Sequence, residues 1–399
     1  MTTEMPMPDP RDPNHPGAPI IPRSDWDLPP WHRWTFQHIR EMTPTAQVWR
    51  GAGPVMPMRE ALEDLGGLAY DFEGRQRTIE AFLGESFTDG FLVLHRGAIL
   101  TERYFNGLRP HGTHLAMSVT KSIVGILAGI VAGQGLLDVS APVTRYLPEL
   151  EATAYRGATV QHVLDMTSGV VFDESYTTPG SHMVQLDLAC GWKEHDKPGW
   201  PRTMWDLVLS LRESECPHGT RFRYRSIETD VLGFVLERAT GTSLAELLSR
   251  ELWAPMGAGE DAYITVDHAG TALADGGFCA TLRDFGRFAM LLLADGRRGG
   301  RQIVPAEWIA DIRDGQGELF QAPYTTVLPN GAYRNQFWIE DTARRSYLAR
   351  GIFGQFIFCD PDAEFAAVKL STWPEFTSPE RSLETLAAFR RIRDHVSQH

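Results

Sequence analysis

Met117-Ser118-Val119-Thr120-Lys121 leads, one residue later, into an apolar run from Ile123 to Gly133. Apolar positions fall on nearly every side of a helix drawn through that run, which predicts a buried helix over Ser118 to Gly133 rather than a surface one. The run is about half the ~20 residues a bilayer span requires. Ser118 and Lys121 are spaced i, i+3 and so share one helix face. Lys121 Nζ can therefore reach Ser118 Oγ and take its proton as the hydroxyl attacks. Lysine is scarce in this chain: Lys121, Lys193, Lys197 and Lys369 are four of its 38 basic residues, and the rest are Arg. Arginine stays protonated, whereas a buried lysine can give up its proton and serve as a base. The plain alternative is a helix start with a solvated lysine.

The chain has 399 residues, 43% hydrophobic and 22% charged, an ordinary globular composition with room for one large domain or two lobes. A net charge of −13 argues against a nucleic-acid surface. Cys190, Cys216, Cys279 and Cys359 show no CxxC spacing, so neither a zinc cluster nor a disulfide framework follows, and a cytoplasmic setting fits. Nine prolines among the first thirty residues, with no apolar stretch, predict an extended arm over residues 1–30 instead of a signal peptide.

Beyond the arm, Phe91 to Phe105 predicts two strands turning at Arg96-Gly97. Val160 to Met166 and Trp205 to Leu211 predict helices, with a long irregular stretch from Ser168 to Arg202 between them. Loops of that length in compact folds usually carry function. Ser226 to Thr240 predicts an amphipathic helix closed by Gly241. Ser243 to Leu252 and Leu282 to Asp295 predict two more. Phe337 to Ile339, Gln355 to Cys359 and Ala366 to Leu370 predict strands, and Arg381 to Val396 a final helix. Strands near both ends with helices between them point to one sheet built from both termini around a helical insertion.

Two further stretches suit the chemistry of Ser118. Tyr224, in Phe222-Arg-Tyr-Arg-Ser226, stands before a helix with a small hydroxyl two residues on. A phenol beside a lysine can shuttle a proton to a leaving atom, although a tyrosine at a helix start needs no such role. Gly351-Ile352-Phe353-Gly354 precedes a strand, where glycine permits close backbone approach to a ligand or simply forms a turn. His111 and His114 have no third ligand at metal spacing and are expected to be solvated. Trp192, Trp338 and Trp373 are candidate cleft residues, core packing being the usual place for tryptophan.

Ser-x-x-Lys at 118–121, Tyr-x-Ser at 224–226 and the glycine element at 351 together resemble the three-motif signature of serine β-lactamase-like hydrolases. That family includes class C β-lactamases, penicillin-binding proteins and β-lactamase-like carboxylesterases. Within it the chain is similar to the nylon-oligomer amidases, which hydrolyse 6-aminohexanoate oligomers. This similarity runs from about Trp31 to Pro374, with echoes at Arg40-Glu-Met42, Val163-Leu-Asp-Met166, Thr229-Asp-Val-Leu232 and Ile264-Thr-Val-Asp267.

The resemblance implies an α/β part, about residues 31–115 and 265–399 with an antiparallel sheet, and an all-α part, about 116–264, with the site between them. It implies Ser118 as nucleophile, Lys121 as general base held neutral by burial, and Tyr224 as the proton carrier. Ser226 would hold the network, and the N–H groups of Ser118 and Ile352 would bind the oxyanion. By the same resemblance Tyr176 closes over the substrate and Asp187 faces its free amine, although the residues alone read as solvated loop positions. Asp275, before Gly276-Gly277, is expected at a pocket edge where it can help bind an ammonium. Trp338 and Gly351 are expected at the substrate.

The third motif departs from the β-lactamase pattern. Ala349 replaces its lysine, Arg350 is expected on the opposite face of the strand, and Phe353 is expected to make the pocket floor apolar. No cofactor or metal is called for, and the expected partners are a small-molecule substrate and a second copy in a homodimer, with no nucleic acid or membrane. The expected activity is hydrolysis of short linear amides through an acyl-enzyme. The alternatives are a carboxylesterase, a β-lactamase or D,D-peptidase, and a binding domain without turnover.

Overall fold

The computed structural model describes residues 21–194 and 196–398, so most of the proline-rich arm lies outside the described residues. The strands used below are β1 (Thr45–Val48), β2 (Arg59–Glu60), β3 (Thr88–His95), β4 (Ala98–Tyr104), β5 (Thr113–Leu115), β6 (Ala262–Thr265) and β7 (Phe278–Thr281). Towards the C-terminus follow β8 (Ala332–Arg334), β9 (Phe337–Asp341), β10 (Ser346–Gly351), β11 (Gln355–Asp360) and β12 (Phe365–Ser371). The helices that matter to the site are α1 (Val119–Gly133), α2 (His182–Ala189), α3 (Ile227–Thr240), α4 (Leu282–Leu293) and α5 (Pro379–Val396).

The main sheet has eight strands in the order β8-β9-β10-β11-β12-β3-β4-β2. Its centre is the antiparallel pairing of β12 with β3, Phe365 opposite His95 and Val368 opposite Leu92, which joins the two ends of the chain. The one parallel pair is the short edge strand β2 against β4. Both faces are apolar because successive side chains alternate. Phe91 and Val93 of β3 join Phe356 and Phe358 of β11 under α5, whereas Leu92, Leu94 and Ile357 belong to the core shared with α1 and α4. Two helical layers cover the sheet, as a sheet buried on both faces requires. A second sheet, β1-β6-β7-β5, lies beside it. No helix among the described residues is long and apolar enough to cross a membrane.

Helix α1 is buried along almost its whole length, as its composition predicts. Gly125, Gly129 and Gly133, four residues apart, form the stripe on which it meets its neighbours. A Cβ at Gly129 would stand 2.5 Å from the Trp308 indole, and one at Gly125 would stand 2.5 Å from Asn335 O.

The irregular stretch 168–202 contains one element the sequence reading misses. Helix α2 is eight residues long and capped by Ser181, whose side chain accepts from the Val184 N–H. Two turns are too few for a clear apolar period. His114 also departs from expectation: it is fully buried, with Nε2 3.1 Å from Asp89 Oδ2.

Candidate active site

Ser118 stands at the N-terminus of α1 without a side-chain capping bond and is buried. Met117 before it has φ 48°, a left-handed conformation that costs a non-glycine residue on the order of 1–3 kcal/mol. Met117 O partly offsets this by accepting from Thr120 N (2.9 Å) and Thr120 Oγ1 (2.6 Å). The tight turn sets Ser118 at the mouth of a cavity.

Lys121 Nζ lies 2.9 Å from Ser118 Oγ, as the i, i+3 spacing predicts. It also lies 2.7 Å from Asp275 O and 3.2 Å from Asp275 Oδ2. Three acceptors match the three N–H donors of an ammonium. Burial pushes Lys121 towards the neutral amine, but Asp275, with Tyr224, Glu174 and Asp230 behind it, outweighs burial and raises its pKa above the ordinary lysine value. The expected neutral lysine, held so by burial, meets a counter-ion that the sequence reading did not include, and the Asp275 carboxylate favours the ammonium. Asp275, expected at the pocket edge for a substrate ammonium, holds the protein's own.

Tyr224 lines the same cavity wall as Ser118, and its ring centroid is 5.3 Å from Lys121 Nζ. Its backbone N–H donates to Tyr324 Oη at 2.9 Å, and its ring stacks on Trp338 with centroids 5.1 Å apart. Ser226 donates to Glu174 from both its N–H (2.8 Å) and its hydroxyl (2.6 Å), and Tyr176 Oη donates to the same carboxylate at 3.1 Å. Burial raises the pKa of Glu174, with Lys121 opposing. Glu174 thus ties the Tyr-x-Ser segment to the loop tyrosine, and nothing in the sequence reading singled it out. It sits in the irregular stretch without motif or period, and only its place two residues before Tyr176 hinted at it.

The cavity holds about 630 Å³, and its wall includes Ser118, Tyr176, Tyr224, Trp338, Arg350 and Gly351. A narrow arm of about 20 Å³ continues past Ser118 and Tyr176 to Asp187, Trp192 and Asp275. Ile352 borders both spaces. Tyr176 stands between them, stacked on Phe376 with centroids 5.2 Å apart. Asp187 is a buried residue of α2, not a solvated loop position, and Lys193 Nζ approaches it to 3.4 Å. Burial raises the pKa of Asp187 above the carboxylate range, with Lys193 opposing.

The end of β10 abuts Ser118: a Cβ on Gly351 would stand 3.0 Å from Ser118 N and 2.8 Å from Ala116 O. The residue there must be glycine for the strand to come so near. Arg350 takes the strand face opposite Ala349, as expected, but the cavity extends across the strand's edge and Arg350 lines it. Its Nη2 donates to Ser382 Oγ at 2.9 Å and its guanidinium lies 5.9 Å from the Trp338 ring, with no carboxylate partner among the described residues. Phe353 does not form the floor. It is buried behind the cavity, 4.8 Å from the Phe376 ring and 5.3 Å from the Phe36 ring.

A serine at a helix N-terminus bonded to a buried lysine, a tyrosine beside that pair, and a glycine strand end against the serine amide form one constellation. The model of the beta-lactamase family matches residues 76–390, which contain all of these. The chain belongs to the beta-lactamase family. Among its relatives there, the 6-aminohexanoate-dimer hydrolase of Paenarthrobacter ureafaciens is 36% identical over 362 residues, 90% of this chain and 89% of that protein. Esterase EstB of Burkholderia gladioli is 32% identical over 160 residues, 38% of each chain. A solved structure from Bacillus anthracis, provisionally named a 6-aminohexanoate-dimer hydrolase, superposes with a TM-score of 0.86 at 28% identity, covering 95% of this chain and 97% of that one.

Proposed function

We propose that the protein is a serine hydrolase that cleaves short linear amides with a free amino end, by way of an acyl-enzyme on Ser118. The observation that carries this reading is Lys121 Nζ at 2.9 Å from Ser118 Oγ, both buried, beside Tyr224 at a cavity mouth. The resting ammonium cannot take a proton, so one must first leave it. Asp275 Oδ2 is the acceptor in contact, and transfer turns the ion pair into a neutral amine and a carboxylic acid. Closing the cavity over a substrate favours that conversion, because excluding water raises the cost of separated charge.

The neutral Lys121 then takes the Ser118 proton as Oγ attacks the carbonyl carbon. The oxyanion rests on the N–H groups of Ser118 and Ile352. Tyr224 gives its proton to the leaving nitrogen and regains one from Lys121, the C–N bond breaks and the amine departs. Water attacks the resulting ester, its proton passes to the same pair, and Ser118 is released. Ser226 and Glu174 keep Tyr224 and Tyr176 in place. Asp187, at the end of the narrow arm, suits an ammonium at the far end of the acyl chain, and the relative from Paenarthrobacter ureafaciens supports an amide of that class. Four free thiols agree with a cytoplasmic setting.

One observation favours a second reading, a carboxylesterase: Lys193 already contacts Asp187, so the arm also accepts a neutral chain. Parallel turnover of 6-aminohexanoate dimer, a short-chain p-nitrophenyl ester and nitrocefin separates the readings. The proposal expects the first two to be hydrolysed. Ester turnover alone would select the carboxylesterase, and efficient nitrocefin hydrolysis would make Arg350 a β-lactam contact.

A further inference from the structure

The Asp187 carboxylate belongs to a three-membered ion cluster. Lys193 Nζ stands 3.4 Å from Asp187 Oδ2 and 3.1 Å from Asp27 Oδ2. Asp27 comes from near the start of the sequence, 160 residues before Asp187, and does not border the narrow arm. It is held there firmly: Trp26 Nε1 donates to Trp192 O at 2.8 Å, and the two indoles meet edge to face at 5.1 Å. Lys193 is anchored in turn by its N–H to Asp187 O at 3.1 Å. Asp27 is 3% exposed, and its Oδ1 has no hydrogen-bond partner among the described residues.

One ammonium therefore faces two carboxylates, and burying an unmatched carboxylate is costly. Of the two, Lys193 sits nearer to the one outside the arm. We propose that Asp27 is a specificity-determining residue: it shares the Lys193 ammonium that hydrogen bonds to Asp187, and so leaves Asp187 able to take a primary ammonium in the narrow arm. This rests on the reading above in which Asp187 meets the amino end of the substrate. Without Asp27, Lys193 settles on Asp187 and occupies the position as an internal cation. Burial raises the pKa of both carboxylates, with Lys193 opposing in each.

The test uses the full chain in a Ser118→Ala background, with no acyl donor present, so that only binding is read. Calorimetry compares hexylammonium with hexan-1-ol, which has the same chain without the charge. In the parent, hexylammonium binds more tightly, by about tenfold, the scale of one partly buried charge pair. Asp27→Asn brings that ratio towards one. Lys193→Met restores it in the double variant, and alone it preserves or raises the ratio. A ratio unchanged by Asp27→Asn overturns the inference. So does a double variant as poor as Asp27→Asn alone, which would reduce Asp27 to a structural role, and so does a fall caused by Lys193→Met alone. Asp187→Asn separates the two claims. If it leaves the parent ratio intact, the ammonium reading of Asp187 itself fails, and if it abolishes the ratio while Asp27→Asn does not, only the inference fails.

Discussion

Lys121 has three hydrogen-bond acceptors around Nζ, and one of them is the carboxylate that fixes its charge. In the mechanism above the ion pair and the neutral pair hold the same number of protons, so kcat/KM changes little across neutral pH. Asp275→Asn removes both the counter-charge and the proton acceptor. Burial then dominates, the lysine pKa falls, and activity acquires an acid limb, declining as pH drops through that value. A pH–rate profile of Asp275→Asn with the same shape as the wild type would contradict the role given to Asp275. The partnership of Ser118 and Lys121 is legible in the sequence because three residues of helix fix it. The charge on Lys121 is not, because its counter-ion lies 154 residues further along the chain. Glu174 stays hidden for a related reason: its partner Ser226 lies 52 residues away and is joined to it only by the fold.

Among the elements, α1 and β10 make the site by touching. The helix presents Ser118, and the strand brings Gly351 within a Cβ's width of the Ser118 amide. Gly351→Ala inserts a methyl at 3.0 Å from that nitrogen, where either the strand or the Met117 turn has to move. The expected result is a fall of about 100-fold in kcat/KM for a p-nitrophenyl ester, the scale of losing one oxyanion donor, carried by kcat more than by KM. Wild-type kcat in this variant would show that the strand end does not support the oxyanion. Helices α1, α3 and α5 and the β3–β4 hairpin can be read from apolar period and turn residues, because their cores are continuous faces. Strand β10 is reached only through the third motif, and the short strands of the second sheet escape, since their neighbours come from distant sequence and their own patterns span only three or four residues. Helix α2 escapes for the same want of length, and with it the burial of Asp187.

At the scale of the molecule, the strand that closes the sheet carries an unusual load. Lys369 on β12 is fully buried, donates to Ser86 O at 3.2 Å and to Ser371 Oγ, and lies over the Phe82 and Trp373 rings. Burial lowers its pKa to about 7. An unfolded lysine titrates near 10.4, so between these values the unfolded chain binds more protons and stability rises with pH. Below pH 7 the folded state carries the buried charge in full. Lys369→Met is therefore expected to raise the melting temperature at pH 6 by about 2 °C or more, with the gain shrinking towards pH 10. Ser86 O keeps the Trp373 Nε1 donor at 3.1 Å in that variant. A loss of stability at pH 6 would show the lysine to be a net support of the sheet. That the sheet draws strands from both ends of the chain follows from the order of strand and helix patterns, but the reach of the cavity across β10 to Arg350 appears only once the sheet, α5 and the Trp373–Pro379 segment are assembled. The most direct test of the whole account is intact-mass and peptide analysis during the first turnover of a p-nitrophenyl ester. The account predicts about one p-nitrophenol released per chain, an acyl group on the peptide bearing Ser118, and neither in Ser118→Ala. An acyl group on another residue, or a burst that survives Ser118→Ala, would contradict it.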